Sequence, residues 1–131
     1  YEALAEQMEV HNNARVAALY HPFHPAVLHA LAHVVVAGHA AGRPVGICGE
    51  LAGDPGAALL LVAMGYDTLS MNATSLARVK AALRRFSRAE ADELLATVLS
   101  LDDAQRIRVT VEERLRESGV ALRLQTAQLA S

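Results

Sequence analysis

Pro44-Val-Gly-Ile-Cys-Gly-Glu-Leu-Ala-Gly-Asp-Pro55 is the stretch on which the fold turns. Val45 to Cys48 read as a short buried strand. Gly49 and Gly53 let the backbone turn tightly, and Asp54-Pro55 has the pattern of an N-cap followed by a helix's first residue. Cys48, the only cysteine in the chain, therefore stands at the C-terminal end of a strand. In parallel α/β folds those ends, and the loops after them, are where ligands and reactive groups collect.

A lone thiol has three uses. An unperturbed cysteine, with a reference pKa of about 8.5, is mostly protonated near neutral pH, so it can donate a proton or, once ionised, act as a nucleophile. It can also pack as a small apolar side chain. The residues themselves leave the three open, although the glycine-rich turn and Glu50 two residues on weigh toward a site.

Working outward from Cys48, strand and helix patterns alternate. Upstream, Ala26 to Ala41 carry Val27, Leu28, Leu31, Val34 and Val35 at helical spacing, which predicts a buried face, and Gly42 stops that helix. His21-Pro-Phe-His-Pro25 is a loop before it. Residues 2–9 and 14–20 read as short helical pieces interrupted at Asn12-Asn13. Downstream, Pro55 to Met64 is apolar almost all round, the mark of a helix covered on several sides, and Gly65 ends it. Tyr66 to Met71 predicts a second strand and Thr74 to Arg85 a further helix. Ser87 with Glu90 forms a capping box opening a helix to Leu101, and Asp102 is the expected cap of a last helix to about Glu117, before Gly119. Val120 to Ser131 is left unassigned. Short βα connections of this kind predict a parallel sheet, so the fold class is α/β, helix-rich, with two trailing helices.

Composition narrows the function classes. The chain has 131 residues, 53% of them hydrophobic and 20% charged, enough for one domain with a core and too apolar for disorder. Twelve Lys and Arg against fourteen Asp and Glu give a formal charge of −2, with no basic stripe interleaved with aromatics, so nucleic-acid binding is not expected. One cysteine cannot form an internal disulfide. There is no signal-peptide pattern, and no apolar run reaches the ~20 residues that span a bilayer. A cytoplasmic protein is the expectation.

Other residues invite a site and are better explained otherwise. His29 and His33 lie i, i+4 on one helix, a spacing that can hold a metal, but no third or fourth ligand is evident and a solvent-facing pair is expected. His21 and His24 flank prolines and are expected to be exposed. Arg78, Lys80, Arg84 and Arg85 give one helix a basic, solvated face. Leu94, Leu95, Val98 and Leu101 read as core contacts.

Taken together, Pro44 to Pro55, Ala63-Met-Gly-Tyr-Asp67 and Leu69-Ser-Met-Asn-Ala-Thr-Ser75 resemble the phosphoenolpyruvate-utilising enzymes, and within them enzyme I of the bacterial phosphotransferase system. The Leu69 to Thr74 run leans toward its nitrogen-related branch. The resemblance covers about residues 12–115.

It implies a (β/α)8 barrel that binds phosphoenolpyruvate and Mg2+ and passes the phosphoryl group to a histidine of a separate domain, and from there to an HPr-like carrier protein. Cys48 matches the family's general acid, which protonates enolpyruvate to pyruvate. Gly49 and Glu50 match the adjoining substrate loop. The family's barrel domain is a homodimer, and an incomplete barrel leaves apolar surface to cover, so self-association is expected.

The departures from the family matter equally. A full barrel takes about 250 residues, so residues 1–131 supply only its last two or three βα units, a partial domain. The phosphoryl-accepting histidine motif, the magnesium-binding carboxylates and most of the phosphate-binding arginines have no counterpart. One family arginine falls at His11, which cannot reproduce a guanidinium's permanent charge and two-pronged grip, and residues 1–11 match poorly. Two other functions compete with a piece of a phosphoenolpyruvate-protein phosphotransferase. One is a piece of pyruvate phosphate dikinase or phosphoenolpyruvate synthase. The other is a non-catalytic scaffold or dimerisation module.

Overall fold

The computed structural model describes residues 21–120, and His11 and the rest of the N-terminal segment lie outside them. The chain runs α1 (Pro25–Ala40), β1 (Gly46–Cys48), α2 (Glu50–Gly53), α3 (Pro55–Met64), β2 (Thr68–Ser70), α4 (Ala73–Leu83), α5 (Arg88–Leu99) and α6 (Ala104–Glu117). The two strands are parallel, with Gly46 opposite Thr68, Ile47 opposite Leu69 and Cys48 opposite Ser70. This is a helix-rich α/β unit of the kind from which a parallel barrel is built.

Helix α3 is the hub. Asp54 caps it, its Oδ1 accepting from the Ala57 N–H at 2.8 Å, and Pro55 supplies a first residue that needs no hydrogen-bond acceptor. Gly65 closes it in the left-handed conformation, φ 102°, where a side chain would be strained. Ala57, Leu59, Leu60 and Ala63 join one cluster with Leu28 of α1, Ala82 of α4, Leu94 and Val98 of α5, and Ile107, Val111 and Leu115 of α6. Leu61 enters a second cluster with Val35 and Tyr66, against which Ile47 and Leu69 of the sheet pack.

The other helices are set by their caps. His24 Nδ1 accepts from the Ala26 N–H at the start of α1, and Asn72 Oδ1 accepts from the Ser75 N–H at the start of α4. At α5 the expected Ser87/Glu90 capping box is present, while the helix ends at Leu99, two residues before the expected Leu101. Helix α6 is capped by Asp103 and not Asp102: the carboxylate must reach the N–H three residues on, and Asp103 does so to Arg106 at 2.7 Å.

Several expectations are corrected. The apolar face of α1 is narrower than its sequence suggests. Leu28 and Val35 are buried, whereas Val27 is 40% exposed and Val34 50%, because α3 and its neighbours cover only one side of the helix. Neither strand is buried: Gly46, Cys48, Thr68 and Ser70 are exposed, since among the described residues each strand has one neighbour and helices cover one face. The second strand is shorter than Tyr66 to Met71, and Tyr66 instead turns into the core, its OH donating to the Leu31 carbonyl at 3.2 Å. The glycine-rich turn after Cys48 winds into the single helical turn α2, burying Ala52 and Gly53. His21 is half-buried, its Nδ1 shielded from solvent, while His24, His29 and His33 are exposed as expected.

Candidate functional site

Both strands point their C-terminal ends at one rim, and local chemistry decides what stands there. Cys48 ends β1 with its thiol on the exposed side of the sheet. Gly49 follows at φ 108°, ψ −165°, a conformation that L side chains rarely adopt, and its N–H donates to the Ser70 carbonyl at 3.2 Å. The parallel ladder is thereby carried one step past the cysteine before the chain breaks away into α2. That step places Cys48 and Glu50 on either side of a glycine, both exposed.

On the neighbouring strand Ser70 stands opposite Cys48 in register, Met71 follows half-buried, and Asn72 caps α4. The Asn72 carboxamide is oriented by the Ser75 N–H and by the Thr74 hydroxyl, which donates to Oδ1 at 2.7 Å. Cys48, Gly49, Glu50, Ser70, Met71 and Asn72 together line an open recess of about 360 Å3, at the small end of ligand-pocket sizes. The recess offers one thiol, one carboxylate, one hydroxyl and one amide. A thiol in that setting can hand a proton to a carbon or accept one back, with the neighbouring polar groups available to orient a small oxygen-rich molecule.

The structure brings Cys48, Gly49 and Glu50 together; His11 is outside the described residues. Ser70, Met71 and Asn72 were not singled out from the sequence as site residues. The signal for them is indirect: a second parallel strand that ends level with the first necessarily carries its last residues to the same rim. Among the described residues no group of three or more His, Cys, Asp or Glu could hold a metal ion. No described helix is long and apolar enough to cross a membrane.

The family described as PEP-utilising enzyme, PEP-binding domain, matches residues 8–88. The chain is 44% identical over 107 residues to a phosphoenolpyruvate-protein phosphotransferase of Geobacillus stearothermophilus, a match covering 82% of this chain and 18% of the relative. The corresponding protein of Haemophilus influenzae is 42% identical over 108 residues, 82% of this chain and 19% of that protein. An Escherichia coli protein named for the phosphoenolpyruvate-dependent phosphotransferase system is 40% identical over 109 residues, 83% of this chain and 15% of that protein. The chain thus spans under a fifth of the length of these relatives. The family match takes in more than half of the chain, including both strands and the whole recess, and the chain belongs to the PEP-binding domain family of the PEP-utilising enzymes.

Proposed function

We propose that residues 1–131 form the C-terminal part of the phosphoenolpyruvate-binding barrel of a phosphoenolpyruvate-protein phosphotransferase, in which Cys48 protonates enolpyruvate. The observation that carries this is the exposed Cys48 thiol at the end of β1, facing the recess lined by Glu50 and Ser70. As the phosphoryl group passes from the substrate oxygen to a histidine nitrogen of the parent enzyme, the enolate's terminal carbon takes the thiol proton to form a methyl C–H bond. The thiolate left behind is reprotonated from solvent. Gly49 lets the substrate approach the backbone, and Glu50 is assigned a hydrogen-bonding role at the rim.

The magnesium ligands are assigned to the rest of the parent enzyme, and no step is assigned to the metal through this chain. The phosphorylated histidine would serve an HPr-like carrier through domains other than this one. The Leu69-Ser-Met-Asn-Ala-Thr run supports the nitrogen-related branch. A homodimer is supported by α1, which carries no Asp, Glu, Lys or Arg and leaves Val27, Val34 and Val36 exposed. A scaffold without catalysis is favoured by two features, the His11 that stands where the family has an arginine and the lack of a counterpart to the family's magnesium-binding carboxylates.

The test is a chimaera in which residues 12–115 replace the matching span of the Geobacillus stearothermophilus relative. Isotope exchange from pyruvate into phosphoenolpyruvate reads the proton transfer, and histidine phosphorylation reads phosphoryl transfer. The expected result is an active chimaera whose Cys48→Ala variant loses exchange by about 10²–10⁴-fold while still phosphorylating its histidine. Undiminished exchange in Cys48→Ala removes the cysteine from the mechanism. An inactive chimaera favours the scaffold.

A further inference from the structure

The rim depends on a register that the strands themselves specify weakly. Each strand is three residues long, and each sends one apolar side chain, Ile47 or Leu69, toward the helices. A slip of one residue in a parallel pair turns every side chain to the opposite face, and patterning resists it only as strongly as the buried set demands. Here a slip would turn Cys48 from the recess toward the helix layer. Gly46, beside it, brings no side chain to oppose the change.

The end of the sheet remote from the recess is fastened differently. Asp67, just before β2, grips Val45, just before β1, with two hydrogen bonds. Its N–H donates to the Val45 carbonyl at 2.9 Å, and its Oδ2 accepts the Val45 N–H at 2.7 Å. The same oxygen pairs with His39 Nε2 in the last turn of α1 at 2.8 Å. Val45 is also seated from the side: its Cγ2 occupies the notch left by Gly38, where a Cβ would overlap it. One carboxylate therefore ties α1, β1 and β2 at a single point, three residues before Cys48 on one strand and three before Ser70 on the other. The His39 and Val45 hydrogen bonds hold the Asp67 carboxyl below the usual carboxylate range, so the anionic acceptor persists at neutral pH.

We infer that Asp67 is a positioning residue for the Cys48 rim, setting the β1/β2 register that presents the thiol to the recess. The proposal rests on Cys48 being the working group of the site, but its consequence is physical and can be read without substrate. Asp67 touches nothing in the recess and acts some 10 Å away, at about 3.3 Å per strand residue.

The experiment is the time course of Cys48 alkylation by iodoacetamide in the 131-residue chain, followed by mass spectrometry, with circular dichroism as the check on helix content. The parent chain is expected to react in one fast phase. Asp67→Ala is expected to add a slow phase, from molecules whose thiol faces the helices, with the helix signal kept. Asp67→Asn, whose Oδ1 can still accept the Val45 N–H, is expected to keep the single phase. Loss of stability alone cannot mimic this result, because unfolding exposes a thiol. Ser87→Ala, which breaks the distant capping box, serves as the destabilised control and should show no slow phase. One phase at the parental rate in folded Asp67→Ala overturns the proposal. If that variant loses its helix signal, Asp67→Val, which keeps a strand-forming side chain but gives the Val45 N–H no carboxylate acceptor, carries the same test with the same two readings. Because no phosphoenolpyruvate is present, failure of the catalytic reading and failure of this one are separate results.

Discussion

Replacing Gly56 by alanine tests how closely α3 and α6 are locked. A Cβ at Gly56 would lie 2.6 Å from Val111 Cγ1, 3.3 Å from Asp54 Oδ1 and 3.4 Å from Leu115 Cδ1. Carbon atoms are comfortable at about 3.5–4.0 Å, so roughly an ångström must be opened. Val111 and Leu115 are each 1% exposed, and a β-branched side chain in a helix has one favoured χ1, so relief must come from moving α6 itself. Overpacking of this kind costs about 1–3 kcal/mol, offset by about 0.5–1 kcal/mol from replacing glycine in a helix. The net expectation is a loss of up to roughly 2.5 kcal/mol. The assay is urea denaturation followed by circular dichroism on four proteins: parent, Gly56→Ala, Val111→Ala and the double variant. With Val111 shortened, Gly56→Ala should become neutral or stabilising, a coupling of roughly 1–2 kcal/mol. A coupling below about 0.3 kcal/mol would show that the two helices are not in contact at this point, and would refute the close-packing argument.

Asp54→Ala should lower stability by about 1 kcal/mol through loss of the α3 cap, with Asp54→Asn retaining most of it, as read from the urea midpoint. Glu90 provides the pH test. The Ser87 hydroxyl and N–H hold its carboxyl below the ordinary 4.5, so its folded-state value lies under its unfolded one. The stability it contributes is then complete above the unfolded pKa and is lost as pH falls through the folded one. Thermal melts of Glu90→Gln should therefore fall below the parent at pH 7 and converge with it in acid; a gap that persists unchanged in acid would contradict the assignment.

What was legible in the sequence was what a few neighbouring residues decide. Asp54-Pro55, Gly65 and the Ser87/Glu90 box act through hydrogen bonds or dihedral preferences that close within a turn of chain, and each lies where its pattern predicted. Cys48 was likewise readable as the end of a strand, because an apolar run that stops at glycine is a local event. Where two local signals compete, as at Asp102 and Asp103, only the helix's actual first turn selects between them.

Contacts between distant segments were decided by the tertiary structure. The valines of α1 share one periodicity, yet Val35 is buried and Val34 exposed, since periodicity identifies a stripe but not the width of the neighbour that covers it. Ser70 and Asn72 join Cys48 because two strands end level, and the Asp67 carboxylate meets partners 22 and 28 residues away in sequence. Sequence by itself determined the elements, their caps and the family motif around Cys48, because short-range sterics and hydrogen bonding act within a few residues. Only the tertiary structure decided the register of β1 on β2 and the composition of the rim, because those depend on which surfaces meet when separate elements pack against α3.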